Sequence, residues 1–306
     1  MSGAHPVPGP MLVTGGSGQL AMALERAATL RHRAVRRVGR PEFDFDRPET
    51  VAATFAQVRP SLVVNAAAWT AVDLAEANEA AASRANAEGP ALLARLCASA
   101  GVPMIHVSTD YVFDGAKGVP YVETDPTSPT GVYGATKLAG EGAVLAANPR
   151  SLVLRTSWVY SPTGKNFVRT MLGAALKTST LRVVGDQQGC PTSADDLAEA
   201  ILVVAARIDA GWQDGWHGVY HAAGEGSTTW HGLAVATFEE AARHGRALPT
   251  VEPILTKDWP TPARRPADSR LECARLAAVF GARLPPWRDG LARTVDTLLA
   301  EGVSAA

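Results

Sequence analysis

The stretch Met11-Leu12-Val13-Thr14-Gly15-Gly16-Ser17-Gly18-Gln19-Leu20-Ala21 joins a short apolar run to an alanine- and leucine-rich segment through a glycine-rich turn. This order predicts a buried strand, a tight turn and a helix. The glycines let the backbone turn sharply, so that N–H groups at the start of the helix can approach a phosphate. The spacing is Gly-x-x-Gly-x-x-Ala, in which the alanine is small enough for the helix to pack closely on the strand. We therefore expect Gly15 and Gly18 to face the pyrophosphate of a dinucleotide.

The alternation of strand and helix continues through the first half of the chain. Its apolar runs are continuous, which is typical of a parallel sheet that helices cover on both faces. The pattern predicts strands over 11–13, 34–38, 62–64, 104–107 and 152–155, and helices over 20–30, 49–58, 80–100 and 133–147. The predicted fold class is therefore α/β, with a doubly wound, Rossmann-like parallel sheet.

The rhythm becomes looser after about residue 158. Helices are predicted over 166–177 and 195–208, and strands over 181–184 and 218–221. Prolines then accumulate, at Pro249, Pro253, Pro260, Pro262, Pro266, Pro285 and Pro286. They predict a smaller, loop-rich C-terminal domain that rests over the carboxyl edge of the sheet. We place the dinucleotide-binding domain at 1–180 and 195–225, and the interleaved second domain at 181–194 and 226–306.

Composition favours a globular protein with small-molecule ligands. The 306 residues are 46% hydrophobic and 19% charged, and the formal net charge is −1. Such a balance predicts neither a nucleic-acid surface nor a membrane-bound face. Cys97, Cys190 and Cys273 are isolated in sequence, which favours buried thiols in the cytoplasm over a zinc site or a disulfide framework. Residues 1–10 lack the features of a signal peptide or membrane anchor and predict a frayed leader.

A tyrosine and a lysine four residues apart mark the expected start of the helix over 133–147. Side chains at this spacing lie on one face of a helix, which here brings Tyr133 and Lys137 together. A positive charge favours the phenolate, so Lys137 is expected to lower the pKa of Tyr133 towards neutrality. The pair could then pass a proton to a carbonyl oxygen. The isolated spacing also occurs by chance on amphipathic helices, and its significance depends on what surrounds it.

Two further strand ends carry small or polar residues. Asn65-Ala66-Ala67-Ala68 ends the third strand, and the small side chains would let a cofactor lie against the backbone. Ser108-Thr109-Asp110 ends the fourth strand and would place hydroxyl groups beside Tyr133. Ligands bind beyond the carboxyl ends of the strands in this fold, so these segments should meet in one crevice. Each segment alone could instead be a turn or a helix cap.

The end of the second strand bears on the choice of cofactor. An acidic residue there usually holds the ribose hydroxyls of NAD, whereas arginine accommodates the extra phosphate of NADP. Here Arg36, Arg37 and Arg40 follow one another without a carboxylate between them. We expect NADPH, with NADH still possible, and the alternative is a solvated basic loop. Asp44 and Asp46 come later and could face the adenine or cap the next helix.

With these residues in view, the chain resembles the extended short-chain dehydrogenases/reductases and, within them, the dTDP-4-dehydrorhamnose reductase family. The resemblance extends over nearly the whole chain. It is carried by TGGSGQLA at Thr14, NAAAWTAVDLAE at Asn65, STDYVFDG at Ser108, ETDPTSPTGVYGATKLAGE at Glu123, RTSWVY at Arg155, DQQGCPT at Asp186, YHAAGEGSTTWH at Tyr220 and RRPADSRL at Arg264.

The resemblance implies an NADPH-dependent reduction of the C4 ketone of dTDP-4-dehydro-6-deoxy-L-mannose to dTDP-L-rhamnose. By similarity, Tyr133 protonates the carbonyl oxygen, Lys137 holds the nicotinamide ribose and Thr109 supplies a hydroxyl. Thr109, Asp110 and Trp158 would contact the sugar, although Trp158 could equally be a core residue. The residues implied at the cofactor are Gly15, Gly18, Gln19, Leu20, Arg37, Asp44, Phe45, Ala66, Ala67, Ala68, Trp69, Thr70, Tyr133 and Lys137.

Two positions depart from the family pattern. Trp69 stands where the family usually has Tyr or His, which would reshape the rim of the cleft. Some members form dimers that share a magnesium ion through glutamates, and one of these positions corresponds to Ala23. Magnesium is therefore not expected, although Asp195 could match another ligand position. His106 lies in a predicted strand, and His217, His221 and His231 have no zinc-like arrangement. The chain could be a monomer or a homodimer.

Two other functions are compatible with the same residues. A reductase of a different nucleotide-linked 4-keto-6-deoxysugar would need the same catalytic groups, because stereochemistry is read by loop geometry. A non-catalytic regulatory subunit would keep the nucleotide-binding fold. The presence of Ser108, Thr109, Tyr133 and Lys137 favours an enzyme over the latter.

Overall fold

The computed structural model describes residues 9–300. The predicted leader over 1–10 therefore falls almost entirely outside the described residues. Twelve strands are found there: β1 (Met11–Thr14), β2 (Val35–Val38), β3 (Leu62–Asn65), β4 (Met104–Thr109), β5 (Ser151–Thr156), β6 (Val159–Tyr160), β7 (Thr180–Val184), β8 (Gln188–Gly189), β9 (Thr192–Ser193), β10 (Gly218–His221), β11 (Thr228–Thr229) and β12 (Thr250–Ile254).

The same residues form eleven α-helices. They are α1 (Gln19–Leu30), α2 (Pro48–Val58), α3 (Val72–Ala75), α4 (Glu79–Ser83), α5 (Gly89–Ser99), α6 (Val132–Ala147), α7 (Phe167–Ala175), α8 (Ala194–Asp209), α9 (Trp230–Ala242), α10 (Ala274–Phe280) and α11 (Trp287–Ala300). Two 3-10 turns cover Asp110–Val112 and Thr256–Asp258, and a π-helical turn covers Arg84–Glu88.

Six parallel strands form the central sheet, in the order β2-β1-β3-β4-β5-β10. Side chains of successive residues point to opposite faces of a strand. Met11 and Val13 accordingly pack with α1 and α8, whereas Leu12 packs with α2 and α5. Both faces of the sheet are thus covered by helices. The predicted doubly wound α/β fold is confirmed.

The strand order reverses between β1 and β3, because β1 pairs in parallel with β2 on one side and with β3 on the other. Thr14 at the end of β1 lies opposite Asn65 at the end of β3. The loops that follow these two strands must leave the sheet in opposite directions, and this opens a crevice beyond their carboxyl ends. The topology therefore creates a ligand site at the place where the sequence puts its glycine-rich turn.

The helix predicted over 80–100 is interrupted. It consists of α4, the π-helical turn Arg84–Glu88 and α5, and Pro90 lies in the first turn of α5. A π-helical turn aims a side chain that a regular helix would direct elsewhere, and such turns are frequent at functional sites. Here the redirected side chain is the fully buried Asn86, which faces α6.

The C-terminal part is more helical than expected, so the prediction of a loop-rich region over 226–306 was wrong in this respect. α9 and α11 pack together with α7 in a separate apolar cluster. The prolines occupy connections, and Pro285 and Pro286 immediately precede α11, where a missing N–H breaks no helical hydrogen bond.

The proposed domain boundaries remain a prediction. α10 packs back on α8 and β10, because Leu276 and Phe280 belong to the largest apolar cluster of the central sheet. The strand predicted over 181–184 exists as β7, which pairs with β12 outside the central sheet. Within 9–300, every helix is too short or too polar to span a lipid bilayer.

Candidate active site

The glycine-rich turn lies at the switch point between β1 and β3. Gly15 has φ +109° and Gly16 has φ +52°, which is backbone geometry that side-chain-bearing residues rarely adopt. A Cβ atom on Gly15 would lie 3.0 Å from the carbonyl group of Ala66, so the turn and the end of β3 are in close contact. Among the described residues, no side chain caps α1 at Gly18. The N–H groups of the first turn of α1 are thus available to an anion, and the cradle fits a dinucleotide pyrophosphate.

Arg37 borders this turn. Its Nε donates to Glu25 Oε2 at 2.7 Å, and its Nη1 donates to the carbonyl oxygen of Gly16 at 2.6 Å. Arg36 instead points outward and pairs with Glu42 at 3.0 Å, while Arg40 is exposed. Of the three arginines at the end of β2, Arg37 is therefore the one that the structure holds against the glycine-rich turn.

Asp44 and Phe45 lie in a turn that follows β2. Asp44 Oδ1 accepts a hydrogen bond from the backbone N–H of Asp46 at 3.1 Å. The Phe45 ring packs edge-on against Phe43, with ring centroids 5.4 Å apart. A Cβ atom on Gly89 would lie 2.2 Å from the Phe45 ring, so the bare backbone at the start of α5 is what admits this ring.

A chain of polar side chains crosses the carboxyl end of the sheet. Thr14 Oγ1 donates to Asn65 Oδ1 at 2.5 Å, and Asn65 Nδ2 lies 2.9 Å from His106 Nδ1. All three side chains are buried. Burial, and secondarily the nearby Lys137, lower the pKa of His106 well below its usual value, so its ring is neutral. This chain fixes the ends of β1, β3 and β4 relative to one another.

Asn86, which the sequence did not single out, holds the segment after β3. Its Oδ1 accepts from the backbone N–H of Trp69 at 2.8 Å, and its Nδ2 donates to Thr136 Oγ1 on α6 at 3.1 Å. The Trp69 indole N–H donates to the carbonyl oxygen of Ala71 at 3.0 Å. One buried amide thus joins the predicted cofactor segment to the helix that carries Tyr133.

Thr109 and Tyr133 come from the end of β4 and the first turn of α6. Thr109 Oγ1 donates to Asp110 Oδ1 at 3.1 Å and accepts from the backbone N–H of Tyr111 at 3.2 Å. The Tyr111 ring packs edge-on against the Tyr133 ring at 5.5 Å. Gly134 permits this contact, because a Cβ atom there would lie 2.2 Å from the carbonyl oxygen of Tyr111.

The pKa of Tyr133 moves in the direction opposite to the one expected from sequence. Burial raises it to about 12, the Thr109 hydroxyl offsets part of this shift, and the negative charge of Asp110 adds to it. Burial disfavours a phenolate more than the sequence argument allowed. The phenol is therefore fully protonated at neutral pH, which is the form that a proton donor requires.

Lys137 lies beneath Tyr133 and is only 2% exposed. Its Nζ donates to the carbonyl oxygen of Val107 at 2.7 Å. Burial lowers the pKa of Lys137 to about 8, and the carboxylate of Glu141 opposes that shift. Lys137 is thus an ammonium at neutral pH that can lose its proton just above it.

Asp110 is a buried carboxyl group with unused bonding capacity. It is 1% exposed, and burial raises its pKa to about 7, while the nearby hydroxyl groups of Ser269 and Thr109 oppose that shift. In the described part of the chain, its Oδ2 has no hydrogen-bond partner. A buried oxygen without a partner is costly, and a ligand hydroxyl would satisfy it.

Trp158 has an unusual backbone and an aromatic partner. Its φ is +48°, and its ring stacks on Trp230 with centroids 3.6 Å apart and an angle of 8° between the rings. The Trp230 indole N–H donates to Gln187 Oε1 at 3.1 Å. A Cβ atom on Gly189 would lie 2.4 Å from the Trp158 ring, so this indole is held between a glycine and a tryptophan.

The structure thus brings Thr109, Asp110, Tyr133 and Lys137 together at the carboxyl edge of β4. The sequence missed Asn86 and Trp230, whose roles arise from contacts with residues distant in the chain. It also missed Glu141, although a signal was present, since this acidic residue follows Lys137 by one turn on a helix of mostly small residues.

The two positions considered for magnesium lie apart from this crevice. Ala23 is buried in the apolar cluster of α1 and α8, and the Asp195 carboxylate pairs with Arg26 at 2.6 Å. Within the described residues, no three His, Cys, Asp or Glu side chains are grouped as a metal site.

Comparison with known proteins places the chain. The model of the RmlD substrate binding domain family matches residues 10–300. The chain belongs to this family. Its relatives include a dTDP-4-dehydrorhamnose reductase of Sinorhizobium fredii, which is 45% identical over 298 residues, or 96% of this chain and 99% of the relative.

Two other family members bear on cofactor and substrate. The crystal structure of dTDP-4-dehydrorhamnose reductase from Bacillus anthracis in complex with NADP has a TM-score of 0.86 and 29% identity, covering 94% of this chain and 99% of that one. A probable dTDP-4,6-dihydroxy-2-methyloxan-3-one 4-ketoreductase of Streptomyces antibioticus is 42% identical over 291 residues, or 94% of this chain and 95% of the relative.

Proposed function

We propose that the chain is an NADPH-dependent reductase that converts dTDP-4-dehydro-6-deoxy-L-mannose to dTDP-L-rhamnose by reducing the C4 ketone. The observation that carries the proposal is the group Thr109, Tyr133 and Lys137 at the carboxyl edge of β4, beside a glycine-rich turn that fits a pyrophosphate. The names of the relatives support the sugar and the cofactor.

The chemistry assigns one task to each of these side chains. NADPH supplies the hydride when it is bound. Tyr133 donates a proton to the carbonyl oxygen, and its raised pKa keeps it protonated until that transfer. The Thr109 hydroxyl, which bonds Asp110 in the structure, turns to donate its hydrogen bond to the same oxygen when the sugar is bound, and the Lys137 ammonium holds the nicotinamide ribose. Its positive charge favours the phenolate that Tyr133 leaves behind.

Cofactor binding involves segments around the whole crevice. Backbone N–H groups at the start of α1 hold the pyrophosphate, and Arg37 meets the phosphate that distinguishes NADP from NAD. This second contact is supported by the position of Arg37 on the carbonyl of Gly16. The full set proposed for NADPH is Gly15, Gly18, Gln19, Leu20, Arg37, Asp44, Phe45, Ala66, Ala67, Ala68, Trp69, Thr70, Tyr133 and Lys137.

Asp110 and Trp158 are proposed to bind the sugar together with Thr109. The unpartnered Oδ2 of Asp110 would accept a hydrogen bond from a sugar hydroxyl. The left-handed backbone of Trp158 supports the same role, because strained residues concentrate at ligand sites.

A second substrate is supported by the relative from Streptomyces antibioticus, whose name specifies a different dTDP-linked keto sugar. The same catalytic groups would reduce either ketone. Oligomeric state and a cytoplasmic location remain predictions from the sequence.

The test is NADPH oxidation by the purified protein, with dTDP-4-dehydro-6-deoxy-L-mannose generated in the same tube and the product identified by chromatography. Tyr133→Phe should reduce kcat by roughly 100- to 10,000-fold with folding intact. Tyr220→Phe is the matched control, because Tyr220 is a buried tyrosine whose hydroxyl bonds the carbonyl of Trp216 in another part of the sheet. Full turnover by Tyr133→Phe would eliminate Tyr133 as the acid, and turnover only with other keto sugars would favour the second substrate.

A further inference from the structure

An ion pair is buried directly behind the proposed catalytic group. The side chains of Arg155 and Glu141 are 4% and 3% exposed. Arg155 Nε donates to Glu141 Oε1 at 2.9 Å, and Nη2 donates to Oε2 at 2.6 Å. A pair so well enclosed is costly to desolvate, so its contribution to stability alone is a weak reason for its presence.

The same carboxylate reaches β4. Ser108 Oγ donates to Glu141 Oε1 at 2.5 Å, and Ser108 lies opposite Arg155 in the register of β4 and β5. Ser108 immediately precedes Thr109, the proposed hydroxyl donor to the substrate. Glu141 therefore connects α6, β4 and β5 at the residue that immediately precedes Thr109.

Glu141 also acts on Lys137, which lies one turn earlier on the same face of α6. Lys137 Nζ is held on the carbonyl of Val107, the residue before Ser108. Burial disfavours the Lys137 ammonium and the Glu141 carboxylate favours it, as the opposing effects on the pKa of Lys137 indicate. The two side chains thus share one dry interior and bond successive residues of β4.

The other groups around Lys137 do not replace this charge. They are Tyr133 on α6, His106 on β4, Arg155 on β5, Asp110 in the 3-10 turn and Asn86 in the π-helical turn. Tyr133 and His106 are neutral, because burial raises the pKa of the first and lowers that of the second. Arg155 carries a like charge that Glu141 itself neutralises, and Asn86 is a neutral amide. Asp110 can carry a negative charge, but the pKa of Lys137 is raised by Glu141 and not by Asp110.

We propose that Glu141 is a positioning residue of the reductase: it fixes the end of β4 through Ser108 and Arg155, and its charge keeps the buried Lys137 an ammonium. The inference rests on the proposed function, in which Lys137 acts in its charged form. A purely structural ion pair would hold α6 on the sheet and leave the protonation of Lys137 unaffected.

Lys137 can be observed directly, because the chain contains only five lysines: Lys117, Lys137, Lys165, Lys177 and Lys257. NMR of protein carrying isotope-labelled lysine would follow each side chain across pH, and Lys137→Arg would assign the signal. The wild-type Lys137 signal should titrate near pH 8. In Glu141→Gln its midpoint should fall by about one pH unit, and the alkaline limb of kcat/KM should move with it.

Asp196→Asn is the control variant, because Asp196 pairs with Arg293 away from the central crevice. It should leave the Lys137 midpoint unchanged. Glu141→Gln strands a buried arginine and could fail to fold, so Glu141→Gln/Arg155→Met removes both charges. The midpoint of Lys137 should also fall in this double variant, but by less. Loss of the negative charge of Glu141 lowers the pKa of Lys137, whereas loss of the positive charge of Arg155 raises it. The first effect should be larger, because Glu141 lies one turn from Lys137 on the same helix and Arg155 lies on a strand.

An unchanged Lys137 midpoint in whichever of these variants folds would overturn the proposal. A lowered midpoint with an unmoved kcat/KM profile would also overturn it, since the charge of Lys137 would then have no part in turnover. The proposed function fails separately, if wild-type protein with bound NADPH reduces neither keto sugar. In that case a lowered midpoint would still establish that Glu141 controls the charge of Lys137.

Discussion

Trp230→Ala should weaken sugar binding, although Trp230 itself need not touch the sugar, because Trp230 positions Trp158. In the structure, Trp230 stacks on Trp158 at 3.6 Å, and Trp158 has a left-handed backbone with φ +48°. A left-handed conformation costs a residue with a side chain about 1–2 kcal/mol. The stack against Trp230, together with the close contact at Gly189, offsets that cost. Without Trp230, the segment around Trp158 can relax to an ordinary backbone conformation.

The size of the effect follows from the stack that is lost. An aromatic pair stabilises a protein by about 0.5–1.5 kcal/mol beyond its buried area. If that energy maintains the binding-competent position of Trp158, its loss should raise KM for the sugar nucleotide about 2- to 12-fold, since about 1.4 kcal/mol corresponds to tenfold. NADPH binding should change little, because Trp230 stacks on Trp158, packs on Phe167 and hydrogen-bonds Gln187, and none of these three residues is proposed to hold NADPH. Trp230→Phe should retain most of the affinity, since a ring can still stack.

The assay is steady-state NADPH oxidation at varied sugar concentration, with the dissociation constant of NADPH measured by fluorescence. Trp212→Ala is the matched control, because Trp212 packs edge-on against Trp216 at 5.8 Å in another cluster. Thermal unfolding would establish that each variant is folded. A folded Trp230→Ala protein with wild-type KM for the sugar would refute the argument that Trp230 positions Trp158.

Three further outcomes are expected. Gly15→Ala should weaken NADPH binding at least about tenfold and lower stability by about 1–2 kcal/mol, because φ is +109° and the new Cβ would lie 3.0 Å from the backbone of Ala66, which follows β3. Gly142→Ala is its control, because a Cβ atom at Gly142 would meet no atom within 4 Å. Equal NADPH affinity of the two variants in a fluorescence titration would contradict the proposal that the glycine-rich turn binds the pyrophosphate. Arg37→Ala should lower the preference for NADPH over NADH more than Arg36→Ala does. If the ratio of kcat/KM for NADPH to kcat/KM for NADH is the same in the two variants, Arg37 has no role in cofactor choice. Asp110→Asn should raise Tm relative to wild type more at pH 8 than at pH 5. The pKa of Asp110 is about 7 in the folded protein and about 4 in the unfolded chain, so the wild type loses stability as pH rises from about 4 to 7. The Asp110→Asn variant lacks this group and does not lose stability in that way. A Tm difference that is independent of pH would show that Asp110 does not titrate in this range.

The parts of the fold that were predictable are those determined by local pattern. The continuous apolar runs of β1, β3 and β5 are buried on both faces, as their lack of alternation indicated. The glycine-rich turn was also local, because its conformation depends on the residues within it. α9 was missed because its alanine-rich segment gives a weak periodic signal. α11 was missed although its buried residues Leu291, Val295 and Leu298 recur at helical spacing. Both helices pack with α7 in one apolar cluster, which supplies most of their stability.

The parts of the site that were not predictable depend on partners far apart in sequence. Trp158 and Trp230 meet across 72 positions, and Ser108 and Glu141 across 33. The expected effect of Lys137 on Tyr133 was wrong for a related reason. Helical spacing reveals that two side chains share a face, but it does not reveal how deeply that face is buried. Burial raises the pKa of Tyr133 and lowers that of Lys137, and it outweighs the local arrangement.

Burial drives Asp110, Tyr133 and Lys137 towards their neutral forms. Asp110 and Tyr133 have raised pKa values, and Lys137 has a lowered one. For the tyrosine this is useful at once, since a proton donor must hold its proton. For the lysine it is a disadvantage, since only an ammonium favours the phenolate that forms during reduction. A fold that buries Lys137 therefore needs a negative charge in the same interior, and Glu141, secured by Ser108 and Arg155, is the residue that provides it.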